Sequence, residues 1–213
     1  MLVILIFICG LFCGSMIEWV AWKIPKEKKG DELRKDAFRY IKRLINKRII
    51  VTFSIGLIYC AFYLKYKVSV DFLKYCTVSS VLILIAIIDH RTKYVYFSTI
   101  CVAVVLNFIF ILAEFFYGAD VKTYVMGAVF ALIVSTILSL MNVIGTGDIE
   151  IFLICGLLTG LNKTIIIILT SIVVCGLYGI YLMLKQRKIL IKMRVAFGPY
   201  IVASLIAAII FLK

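Results

Sequence analysis

The chain is poor in charge, proline and histidine. Of its 213 residues only 16% are Asp, Glu, Lys or Arg, and there are two prolines and a single histidine. A soluble domain carries about 25% charged residues and about 45–50% apolar ones. Here 64% are apolar and the mean hydropathy is +1.13. That balance excludes a soluble single-core enzyme and a disordered chain, and it points to a polytopic membrane protein. The seven cysteines, Cys9, Cys13, Cys60, Cys76, Cys101, Cys155 and Cys175, form no C-x-x-C pair. Neither a zinc ribbon nor a disulfide framework is indicated, and no metal is expected. The P-loop pattern, H-E-x-x-H and a serine nucleophile elbow are also missing. The first apolar run lacks a basic flank and a clear small-residue cleavage site, so it reads as a retained helix.

A bilayer core of about 30 Å needs about 20 apolar residues per helix. Eight apolar runs qualify as candidate spans: Leu2 to Trp22, Ile49 to Leu64, Phe72 to Ile88, Val95 to Glu114, Tyr124 to Ile144, Ile149 to Leu161, Thr164 to Leu184 and Ala196 to Leu212. The run after Asp148 is short and is expected to be a tilted or incomplete crossing. The expected fold is all-α, a polytopic helical bundle of about eight transmembrane helices. It divides into a first helix (1–22), a short basic segment (23–48) and a membrane core (49–213).

Acidic residues are scarce as well, 11 against 24 Lys and Arg, for a net charge of +13. With both termini outside (N-out, C-out), 18 of the 24 basic residues fall in the connections 23–48, 89–94 and 185–195. The positive-inside rule favours that orientation. The basicity is thus a topology signal rather than a nucleic-acid signature. Within 23–48, Leu33, Ala37, Tyr40, Ile41, Leu44 and Ile45 recur at helical spacing among Lys and Arg. This describes a basic amphipathic helix suited to an anionic inner leaflet.

Ionisable groups inside apolar runs are costly and usually functional. Five acids lie at or in the spans: Glu18, Asp89, Glu114, Asp148 and Glu150. Glu114 sits near an outer end, where it can reach water. Asp89 closes an apolar helix and Asp148 closes Gly145-Thr-Gly-Asp148, with two spans between them. An even number of crossings returns both carboxyls to one face at one depth. Two adjacent carboxyls share a proton, so one can activate water while the other protonates a carbonyl oxygen. Gly145 and Gly147 are expected to supply positive φ and close backbone approach beside Asp148. His90 is expected to face water, and Asn107 and Asn142 to hydrogen-bond between helices. The alternative is a small proton- or cation-coupled membrane transporter using the same buried acids.

Three regions resemble the type IV prepilin peptidases, which are GxGD-type intramembrane aspartic proteases. Gly10 to Pro25 is similar to the family's Gly-Ser, apolar run, basic residue and Ile-Pro pattern. Asp89 and Gly145-Thr-Gly-Asp148 follow at a similar interval, and Ala196-Phe-Gly-Pro-Tyr200 resembles the segment that opens the last helix. The resemblance implies Asp89 and Asp148 as the catalytic pair. It implies a prepilin or pseudopilin substrate, cut after its basic leader at the cytoplasmic face of a bacterial inner membrane. It also implies that S-adenosylmethionine would be the cofactor if the family's N-methylation step is retained; proteolysis itself needs none. The chain departs from the family by lacking the zinc-binding cytoplasmic domain. It carries Val95-Tyr96-Phe97 where Pro-Asp is common, Glu150 where Lys is usual, and Glu18 in place of Asn. Glu18 and Glu150 are therefore expected to offer local negative charge to a basic leader.

Overall fold

The computed structural model describes residues 1–23, 37–118, 120–186 and 196–212, and the side chains of Trp22, of 37–48 and of Gln186 lie outside that description. The amphipathic face expected in 23–48 and most of the basic stretch 185–195 fall in the undescribed parts. Among the described residues every regular element is helical: α1 (Leu2–Lys23), α2 (Ala37–Tyr66), α3 (Val70–Thr92), α4 (Phe97–Phe116), α5 (Lys122–Leu140), α6 (Thr146–Gln186) and α7 (Gly198–Phe211). α6 is two helices joined across a break at Gly160, whose φ of 76° and ψ of 177° leave the helical region. Such a conformation suits a residue without Cβ. Counting the halves of α6 separately, the described residues form an all-helical bundle of eight rods, as the apolar runs predict.

Six of the rods are long and apolar enough to cross a membrane. The remaining two, α7 and the first half of α6 (146–159), have 14 residues each, about 21 Å at 1.5 Å per residue, and fall short of a bilayer core. Both are interior. Ile151, Phe152, Ile154, Cys155 and Leu158 of α6 and Ile201, Leu205 and Ile209 of α7 are fully buried. The sequence-based count of eight spans thus resolves into six full-length helices around two half-length ones.

α3 is the central long helix. Over half of its apolar window is buried (56%), against 28% or less in the other five spans. Ser69 caps its start by accepting the Phe72 N–H at 3.2 Å. Its end is set by Lys93, which turns left-handed (φ 57°) and donates its N–H to the Asp89 carbonyl at 2.8 Å. Asp89 is thereby held in the last turn. α5 packs backbone-to-backbone on the first half of α6. A Cβ on Gly127 would lie 2.8 Å from the Gly156 carbonyl oxygen, and one on Gly156 would lie 2.5 Å from that of Gly127. This contact closes the α5–α6 hairpin whose tip is the Gly145-Thr-Gly-Asp148 turn.

One of two paired charges at the far end of the bundle differs from expectation. Lys74, at the start of α3, is fully buried and bonds Glu114 of α4 at 2.7 Å. Glu114 does not reach for water; its own residue is buried and one of its oxygens lacks a partner. Lys74 also lies 3.9 Å from the Tyr124 ring centre on α5, a cation–π arrangement. Asn107 likewise makes no bond between helices, donating instead to Ala103 of its own turn at 3.0 Å.

Candidate active site

Asp148 stands in the first turn of α6, with Gly145 as the residue before the helix. Its Oδ2 accepts the Gly145 N–H at 2.9 Å, and its own N–H donates to the Gly145 carbonyl at 3.1 Å. This is the reach-back half of a capping box, in which the third helical residue satisfies the capping residue's amide. Gly-x-Gly-Asp is therefore a local helix-start device that also fixes a carboxyl. Neither Gly145 nor Gly147 has positive φ, which corrects the sequence-based expectation; the left-handed residue of this turn is Asn142, at φ 58°. Gly147 is needed for closeness instead, because a Cβ there would lie 2.8 Å from Val95 Cγ2. Asn142 is exposed in this turn rather than between helices.

Asp89 arrives from the other side, at the end of α3. Its Oδ2 accepts the N–H of Gly198, the first residue of α7, at 3.0 Å. Asp89 and Asp148 are 6% and 7% exposed, and both line one cavity of about 780 Å³. Its wall is completed by Lys93 and Val95 after α3, Glu150 on α6, Cys175 on the second half of α6, and Phe197. The volume lies within the range of about 300–1,000 Å³ usual for ligand pockets. Asp148 lies outside the six apolar spans, between Lys122–Leu140 and Leu161–Lys185. Burial pushes its carboxyl up to about 7 from 3.8, and the nearby Asp89 charge adds to the rise, while the Gly145 amide opposes it.

The other sequence-predicted residues divide. Glu150 is half-buried in the cavity wall. Glu18 does not reach the cavity; it is buried on α1 and pairs with Arg91 at 3.0 Å, just past Asp89. Arg91 also donates to the Ala21 carbonyl at 3.2 Å, so the pair ties α1 to the end of α3. The acid expected to attract a basic leader is thus already neutralised. His90 is exposed, as expected. Gly198 is the residue that sequence reasoning missed. Phe197-Gly-Pro199 reads as a helix start, and a glycine there gives no hint of a carboxyl 109 positions away.

These features define a multi-pass helical membrane protein with two carboxyls gathered in one cavity at one end of the bundle. The profile of the type IV leader peptidase family matches residues 76–180, a stretch that contains both aspartates. That stretch, close to half of the chain, is similar to the family, which supports a leader peptidase and disfavours the transporter alternative. Neither curated proteins nor solved structures give a significant match.

Proposed function

We propose that the protein is an intramembrane aspartic endopeptidase that removes the basic leader from a prepilin or pseudopilin at the cytoplasmic face of a bacterial inner membrane. The observation that carries this reading is the shared cavity of Asp89 and Asp148, each with one oxygen held by a backbone N–H. In the proposed step one carboxylate takes a proton from water. The water oxygen then attacks the scissile carbonyl carbon, and the other carboxyl gives its proton to the carbonyl oxygen. Collapse breaks the C–N bond, and the leaving amine takes up a proton. The pair works as one titrating unit.

The charge pattern supports the orientation. The basic segments 23–48 and 185–195 join the helices at the end that carries the cavity, where α1 finishes and α7 starts. Positive charge marks the cytoplasmic side, and an anionic leaflet is the surface those segments suit. The test is co-expression with a prepilin carrying a Lys-rich leader, read as a size shift on a gel. The parent protein cleaves, while Asp89→Asn and Asp148→Asn each accumulate uncut precursor at normal expression. Cleavage by either variant at the parent level would sink the proposal. N-methylation, with S-adenosylmethionine as donor, is a separate activity, checked by whether the mature N-terminus carries a methyl group's added mass.

A further inference from the structure

We infer that Gly198 is a positioning residue for Asp89, acting through its backbone N–H; this rests on the catalytic reading of the aspartate pair. The opening amides of a helix have no acceptor within it. In α7, Pro199 contributes no N–H, and the Tyr200 N–H is taken by the Phe197 carbonyl at 3.0 Å. Gly198 is the amide left to face outward, and it is spent on Asp89 Oδ2. A Cβ at position 198 would lie 2.7 Å from that oxygen, so any larger residue displaces the Asp89 carboxyl.

The far end of α7 is held as well. The Lys65 ammonium donates to the carbonyls of Ile209 (2.7 Å), Ile210 (3.1 Å) and Leu212, and the Tyr66 hydroxyl donates to Ile209 at 3.2 Å. Clamped from both ends, α7 cannot slide along α3, and its first amide stays at a fixed height against Asp89. The consequence is chemical. Oδ2 of Asp89 is committed to Gly198 and Oδ2 of Asp148 to Gly145. That leaves one oxygen of each carboxyl for the shared proton and the water. Two amides from distant parts of the chain thus orient the pair before substrate arrives, which is preorganisation of a reacting geometry.

Such a role acts on turnover rather than on binding. The test uses the full chain in lipid vesicles and a synthetic peptide with a basic leader and an apolar segment. Semisynthesis replaces the Gly198 amide by an ester, which removes the N–H and adds no side chain. Loss of one hydrogen bond to a charged group predicts a fall in kcat of about 10- to 100-fold, with KM within about twofold of the parent. Gly198→Ala, made by ordinary expression, is expected to fall at least as far. Binding of a non-cleavable leader peptide is measured for both. Parent-like binding with slow cleavage supports the inference. Parental kcat, a loss confined to KM, or loss of binding together with cleavage overturns it. Asp89→Asn and Asp148→Asn run in parallel separate the two claims. If they cleave normally, the catalytic reading itself is wrong. If they are inactive while the ester protein is parental, only the role of Gly198 falls.

Discussion

At the scale of single residues, the acid–base state of Asp148 gives the first expectation. The step needs one proton on the pair, and burial holds the Asp148 proton up to about pH 7. Cleavage is therefore expected to decline above that pH, by about tenfold per unit where loss of a single proton controls the rate. The same shift has a sign for stability. The folded value lies above 3.8, so the unfolded chain releases the proton first. This group's contribution is complete below about pH 4 and is lost as the pH rises to about 7. A pH–rate profile paired with a pH series of thermal unfolding checks both. Gly147→Val is a second expectation. The added Cβ meets Val95 at 2.8 Å, an overpacking that costs about 1–3 kcal/mol and displaces the Asp148 turn, so cleavage falls even where the protein still accumulates. Asp89 and Asp148 were legible in the sequence because a charge in an apolar run stands out. Their partners were not: Gly198, and Arg91 as the counter-ion of Glu18, are fixed only by packing between helices remote in sequence.

For the elements, apolar runs gave the number and order of helices. They marked the run after Asp148 as short, but not α7, which is equally short of what the bilayer requires. Hydropathy rises equally for a helix bathed in lipid and for one surrounded by other helices, so α7 and the first half of α6 were counted as spans. The break at Gly160 was placed well, since a candidate run ended at Leu161; its cause, a left-handed glycine, was not. Two expectations belong here. Gly156→Leu would push α5 off α6, since even a Cβ there lies 2.5 Å from the Gly127 carbonyl oxygen. It should abolish accumulation of folded protein, read by protease resistance in membranes. Lys65→Met removes the donor that closes the C-terminal end of α7. A cost of about 1 kcal/mol in stability is expected. A drop in kcat larger than any change in KM should accompany it, because the slackened helix no longer keeps its opening amide on Asp89.

Across the whole molecule, polar chemistry is split between two ends. The cavity and its acids occupy one, and the buried Lys74–Glu114 pair the other. Breaking a buried pair by removing one partner costs about 3–5 kcal/mol, whereas replacing both with apolar residues is often neutral. Lys74→Met or Glu114→Met alone should lower the unfolding midpoint markedly. The double variant should recover most of the loss and retain cleavage, as measured by unfolding in detergent. Failure to recover would mean that the charges do more than join α3 to α4. The stunted length of α7 and of the first half of α6 carries one more consequence. Both begin at the cavity that Asp89 and Asp148 line, and at about 21 Å each is shorter than a bilayer core, so the chemistry sits where a short rod starts rather than along a full crossing. On the proposed function, a precursor whose greasy stem remains in the bilayer need only bend its neck into that cavity for the joint between leader and stem to meet water.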